Sequence, residues 1–275
     1  KERYGPVATI SYYTQNFLLK AISEHGFKVS ISGTGADELF TGYYDHHLLY
    51  FSSKFAKSSS RYEAISNWEK FIKPLTRNPL LQDAEKYNKN PLAREHVYYK
   101  NELYSRFLNK PWSEPFSEEA YSKSLLRNRM MNELYNEAVP VILREDDTNA
   151  MTYSVENRSP FLSRDLLDIS MKIPDEYLIH NGFAKSILRQ AMQGLVPERI
   201  LWERKKTGFN SSLFEVANIE SESLREAILD RTSFYDVVNR EKVESFLKKD
   251  LSLNSDSKFL FNLINAKLTV DLMEI

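Results

Sequence analysis

The chain has 275 residues and balances 37 Lys and Arg against 38 Asp and Glu, for a formal charge of −1. Hydrophobic residues at 42%, aromatics at 13%, and only 8 Gly and 10 Pro exclude a disordered, collagen-like or low-complexity chain. The near-neutral charge argues against a nucleic-acid partner, and the absence of cysteine excludes disulfides, thiolate catalysis and Cys-ligated zinc. No apolar run approaches the roughly 20 residues of a membrane-spanning helix, and the start carries no signal-peptide pattern. No membrane partner and a cytoplasmic location are therefore the expectation. The first residue is Lys1 rather than methionine, which suggests that the sequence begins inside a longer product.

Residues 14–24 place Phe17, Leu18, Ala21 and Ile22 on one helical face, with Gly26 positioned to end the helix. In residues 27–32, Phe27, Val29 and Ile31 alternate with polar or charged residues, as in a strand. Gly33-Thr34-Gly35 interrupts that segment, and a helical pattern rich in aromatics resumes over 36–51. Residues 52–140 read as short helices broken by prolines, around Trp68, Phe71, Tyr98, Tyr99, Tyr104 and Phe107, where ordinary packing accounts for the aromatics. Leu143-Arg144-Glu145-Asp146-Asp147 reads as a junction between two helical patterns. Leu166, Ile169 and Ile173 form a short amphipathic helix stopped by Pro174, and Asn181-Gly182 is a turn signal. Ile187, Leu188, Ala191, Met192 and Leu195 make the apolar face of another helix, and the chain beyond Ser211 is helical again.

Three places can carry chemistry. In Ser32-Gly33-Thr34-Gly35-Ala36-Asp37-Glu38 a strand ends, two glycines turn the backbone and a helix begins. That order points N–H groups and the positive end of a helix at one spot, as phosphate sites do. Asp37 suits a hard cation such as Mg2+, which takes carboxylate and phosphate oxygens. A turn that uses its glycines for geometry alone is the competing explanation. The acids Glu145, Asp146 and Asp147 fit a solvated face equally well, because neighbours on a helix diverge and at most one or two can enter a site. Arg204-Lys205-Lys206-Thr207-Gly208-Phe209 is a basic run that reads as a surface loop or as a polyphosphate contact. The five histidines show no metal-ligand spacing, and no Gly-x-Ser-x-Gly elbow occurs.

Taken in order, these stretches resemble the C-terminal synthetase region of the glutamine-dependent asparagine synthetase family. The resemblance rests on residues 31–43 and 143–151, on Val155-Glu156-Asn157-Arg158-Ser159-Pro160-Phe161-Leu162, on Leu188-Arg189-Gln190-Ala191, on Leu195-Val196-Pro197 and on residues 204–209. It implies a mostly helical α/β fold, with few strands, that forms part of an adenine nucleotide alpha-hydrolase-like parallel sheet, and one synthetase domain over 1–275. It also implies ATP and Mg2+ as cofactors, and an acyl-adenylate attacked by ammonia from a glutaminase domain. Carried over, Ser32, Gly33 and Gly35 would bind ATP or pyrophosphate, Asp37 would hold Mg2+, and Lys205 would neutralise the departing phosphates. Asp146 would serve catalysis, while Thr34, Asp147, Glu156 and Arg158 would shape the substrate pocket.

Two departures matter. The family's Ser-Gly-Gly-x-Asp-Ser loop and its cysteine glutaminase are not in this sequence. The expectation is thus a chain inactive by itself, needing an upstream half of the same protein or a second subunit, and showing an exposed strand edge or apolar patch. The other departure is Thr34, where many asparagine-forming members carry a carboxylate. A threonine hydroxyl keeps its proton at neutral pH and cannot act as a base. Aspartate leads as the acceptor, a sugar acid or another carboxylate is the alternative, and a non-catalytic scaffold of the same fold is the non-enzymatic one. The nucleotide reading requires Ser32, Asp37 and Lys205 to share a cavity.

Overall fold

A computed structural model describes residues 5–52, 59–97, 104–112, 114–206, 208, 211–249 and 254–273. Tyr98, Tyr99, Thr207 and Phe209 lie outside the described residues. Helix α1 (Ile10–Glu24) leads to strand β1 (Val29–Ile31), then α2 (Ala36–Phe40), α3 (Tyr44–Ser52), α4 (Ser59–Phe71) and α5 (Lys86–Lys89). Helices α6 (Leu125–Tyr135) and α7 (Ala138–Thr152) precede strand β2 (Glu156–Arg158). Short helices follow: α8 (Arg164–Ser170), α9 (Asp175–Leu178), α10 (Ser186–Ala191) and α11 (Glu198–Leu201). The chain closes with α12 (Leu213–Val216), α13 (Glu222–Leu229), α14 (Phe234–Val237), α15 (Arg240–Leu247) and α16 (Asn254–Met273).

The fold is mostly helical, with one small parallel sheet among the described residues. Strand β1 pairs with β2 in the register Val29–Glu156, Ser30–Asn157 and Ile31–Arg158. Parallel pairing needs a long crossover, and the helical chain between residues 31 and 156 supplies it.

Two segments differ from their sequence reading. The pattern over 36–51 is two helices, because Thr41 takes a left-handed φ of 71° and breaks the ladder after Phe40. That conformation is costly for a β-branched residue. It is held by burial and by the Thr41 hydroxyl, which donates to Phe40 O at 2.5 Å and to Leu178 O at 3.3 Å. Residues 143–147 are not a junction but the middle of α7. Pro140 sits in the first turn of that helix, where a missing N–H costs no hydrogen bond.

The larger apolar core joins α2, α3, α4 and α6 through Leu39, Phe40, Leu48, Leu49, Trp68 and Met130. A second core gathers the C-terminal helices around Phe234, Val243, Phe246 and Leu260, and Ile10 of α1 enters it. A third, small one packs Leu19 of α1 against Ala150 and Val155. The face of α1 expected to be buried is therefore open at Phe17 and Leu18, and Leu19 with half-buried Ile22 does the packing. Phe27, Val29 and Ile31 are also exposed, Ile31 at 76%, so the expected apolar patch beside the strand edge is present. No described helix is long and apolar enough to cross a membrane.

Candidate functional site

Gly35 enters α2 at φ 94°, and a Cβ there would overlap the Leu162 side chain. Glycine is thus required twice over, by the left-handed turn and by the close approach of residues 160–162. The turn presents Asp37 in the first turn of α2. The carboxylate is not open: Lys185 Nζ donates to Oδ1, and Lys206 Nζ donates to Oδ2 at 2.7 Å. Burial pushes the Asp37 carboxyl up, but the two ammonium groups outweigh it and hold it below the usual carboxylate range.

Each lysine is delivered by backbone structure. Lys185 stands at the head of α10 in a left-handed conformation, its N–H donating to Phe40 O and to Thr41 Oγ1, both at 3.1 Å. Lys206 Nζ lies 3.6 Å above the Tyr43 ring, a cation–π contact, and the Tyr43 hydroxyl donates to buried Glu38 at 2.5 Å. Gly42 closes the group, since a Cβ there would overlap both Asp37 and the Lys185 ammonium. The Gly42 N–H donates to His46 Nδ1 at 3.2 Å, and His46 Nε2 meets Glu133 at 2.9 Å. Glu133 is held in turn by Arg129, so the loop rests on a buried polar chain reaching into α6.

These groups border a cavity of about 220 Å³ whose charged lining is Asp37 with Lys185, Arg189, Arg204, Lys205 and Lys206. One carboxylate against five cations makes a trap for a multiply charged anion. Asp37 and Lys205 share this cavity as the sequence reading requires, but Ser32 is not on its wall. Lys205, expected to neutralise the phosphates, is exposed on this cavity, and it is its neighbour Lys206 that reaches Asp37. A lone carboxylate does not make a protein-only Mg2+ site. It fits a Mg2+ carried on phosphates, which supply the other oxygens and give the two lysines an anion to turn to.

A second polar group sits at the C-terminal ends of the strands. The Ser32 hydroxyl donates to Thr34 at 3.1 Å and lies 3.0 Å from Ser159 Oγ. Asp146, buried on α7, accepts from Gln15 at 2.8 Å and from Asn157 at 3.2 Å, with the Thr34 hydroxyl nearby. Burial lifts its carboxyl above the usual range against the hydrogen bonds from Gln15 and Asn157. The structure thus joins Ser32, Thr34 and Asp146, with Gly33 open between them: nothing lies within 4 Å of where its Cβ would be.

Three expected pocket residues point elsewhere. Glu156 and Arg158 alternate outward on β2 and pair with each other at 2.8 Å on an exposed face, while Asn157 between them turns to Asp146. Strand alternation decides this, since neighbours face opposite sides. Asp147 is exposed because the helix rotates it away when Asp146 turns in. Lys185 was missed; its clue was a cation placed at a helix N-terminus, where the dipole disfavours it unless an anion is near. Among the described residues, Asp45, His46 and Glu133 cluster closely enough for a metal, but Arg129 already pairs with both carboxylates and His96 Nε2 lies 3.1 Å from Asp45.

The asparagine synthase family matches residues 2–270 of this chain. Asparagine synthetase (glutamine-hydrolyzing) 1 of Bacillus subtilis strain 168 is 29% identical over 219 residues, which are 74% of this chain and 34% of that protein. Asparagine synthetase (glutamine-hydrolyzing) 3 of the same organism is 28% identical over 194 residues, 65% of this chain and 26% of that protein. The chain therefore spans between about a quarter and about a third of the length of these relatives. With the match covering nearly its whole length, the chain belongs to the asparagine synthase family.

Proposed function

We propose that this chain is the acid-activating part of an ATP-dependent amide ligase, built on a nucleotide alpha-hydrolase-like sheet completed by an upstream half. The observation that carries the reading is Asp37 clamped by Lys185 and Lys206 at the wall of a cationic cavity, directly after a glycine turn at a strand end. Ligands of parallel α/β sheets bind at that end. A carboxylate oxygen of the acceptor attacks the α-phosphorus of ATP, which forms an acyl-adenylate and expels pyrophosphate. Ammonia then attacks the acyl carbon, giving the amide and AMP.

Within that reaction, Lys185 and Lys206, already fixed on Asp37, neutralise the charge gathering on the departing phosphates, which lowers the barrier. Lys205, exposed at the cavity rim, adds to the field. Asp37 would hold a phosphate-borne Mg2+, which when bound offsets phosphate charge. Ser32, Gly33 and Gly35 stand at the strand end, off the wall of the cationic cavity, and on this reading would meet the nucleotide at its α-phosphate. Asp146, with its raised pKa, takes up the proton that the attacking nitrogen must lose, a role open to it because Thr34 beside it has none to play as a base. Aspartate is the leading acceptor. Thr34, in place of a carboxylate, supports a second reading in which the acid is a different one, such as a sugar acid.

The test is acid-dependent exchange of labelled pyrophosphate into ATP. This chain alone should show none, and the chain joined to its upstream half should show exchange that needs a carboxylate. A panel including aspartate identifies the acid. Exchange by the chain alone, or none by the joined protein with any acid, overturns the reading.

A further inference from the structure

His46 is fully buried, and both of its ring nitrogens are engaged. Nδ1 faces the Gly42 N–H at 3.2 Å, and Nε2 faces Glu133 Oε2 at 2.9 Å. An N–H needs an acceptor and a carboxylate needs a donor. The geometry therefore fits the neutral ring with its proton on Nε2 and its lone pair on Nδ1. Glu133 is anchored in turn by Arg129, whose Nε donates to its other oxygen at 3.1 Å.

The need for this acceptor arises from the break between α2 and α3. Thr41 turns the chain out of α2, and α3 begins only at Tyr44, so the Gly42 N–H meets no helical carbonyl. His46, the third residue of α3, reaches back to it, much as the acidic residue of a capping box does from that position. The same ring stands edge-on to Tyr43, with centroids 5.2 Å apart. Gly42 presses on the Asp37–Lys185 contact, and Tyr43 lies under the Lys206 ammonium. One imidazole thus supports the residues behind both arms of the Asp37 clamp. Burial presses the His46 pKa down, but Glu133 and Asp45 outweigh burial and Arg129 and draw a second proton toward the ring. That proton could enter only at Nδ1, where it would face the Gly42 N–H, donor against donor.

We infer that His46 is a positioning residue of this site: as the Nε2–H tautomer it holds Gly42 and Tyr43, and through them keeps Asp37, Lys185 and Lys206 in register. The inference rests on the nucleotide-site reading above and adds the group that shapes the loop behind it.

Two substitutions separate the contacts of the ring. His46→Asn sets an amide oxygen where Nδ1 stands and gives up Glu133. His46→Gln sets an amide nitrogen near Nε2 and gives up the acceptor for Gly42. The test follows hydrogen exchange of the Gly42 amide and calorimetric titration of inorganic pyrophosphate in the wild type and both variants, with a thermal melt of each. His46→Gln should speed Gly42 exchange about tenfold and weaken pyrophosphate binding by about as much, the scale of one lost hydrogen bond. His46→Asn should keep both near the wild-type values although it melts lower. The ring nitrogen resonances of the wild type near neutral pH need no substitution, so the test survives a variant that fails to fold: Nδ1 should resonate as an unprotonated acceptor. A protonated Nδ1, or equal losses of affinity in the two variants that follow their melting temperatures, overturns this inference and leaves the site reading standing. Absence of pyrophosphate binding by the wild-type protein overturns both.

Discussion

A carboxylate bearing two ammonium groups carries more positive charge than it can neutralise, so the Asp37 group is electrostatically complete only with another anion present. That imbalance assigns unequal weights to the neighbouring lysines. Lys206 is fixed by Asp37 and by the Tyr43 ring, whereas Lys205 is exposed and its backbone N–H donates to the Glu203 carboxylate. Replacing Lys206 or Lys185 by Ala should weaken pyrophosphate binding by tenfold or more, about 1.4 kcal/mol, and Lys205→Ala by about twofold. Titration of the three variants checks the order, and equal losses at positions 205 and 206 would contradict the assignment. His47 supplies a pH dependence. Burial, helped by His46, pushes its pKa from 6.5 down to about 3. Between those values the unfolded chain binds a proton that the folded one refuses, so the stability is fully present above pH 6.5 and is lost as pH falls. Urea melts at pH 7, 5.5 and 4 should show His47→Phe removing a slope of roughly 1.4 kcal/mol per pH unit.

At the scale of elements, the site depends on the break between α2 and α3. Thr41 and Lys185 both hold left-handed conformations, and each is bonded to the other. Gly42→Ala would place a methyl group where Asp37 and Lys185 now meet. Pyrophosphate affinity should fall at least tenfold while the protein stays folded at 25 °C, since the displaced groups are partly solvated side chains rather than core. Unchanged affinity would mean that the Asp37–Lys185 contact is dispensable. This break also marks how far the sequence can be read. The glycine turn, the strand before it and the Asn181-Gly182 hairpin are set by local backbone preference and were legible. The Thr41 break was not, because its cost is covered by Phe40, Leu178 and Lys185, two of them far away in the chain. Asp146 was legible as a motif, but its contact with Asn157 depends on how α7 is rotated against β2. Glu156 and Arg158 were misdirected for the same reason, since a motif preserves residue order and not the facing of a strand.

For the whole molecule, the decisive feature is an apolar face that the described residues leave open. Phe27 at 63%, Val29 at 41% and Ile31 at 76% exposure lie on or beside β1 of a two-stranded parallel sheet, a form normally covered on both sides. The relatives are about three times longer than the matched segment. On the reading proposed above, an upstream half would extend the sheet beyond β1 with its strands and cover these side chains with its helices. Left open, the face should drive self-association of the chain. Changing Phe27 and Ile31 together to Ser should weaken concentration-dependent association in sedimentation velocity by tenfold or more. The melting temperature should move little, because both side chains already face solvent. In the chain joined to its upstream half the same pair should be costly, lowering the melting temperature by several degrees as burial of two large side chains is lost. A doubly substituted protein that melts alike in both contexts would mean that the upstream half docks somewhere else.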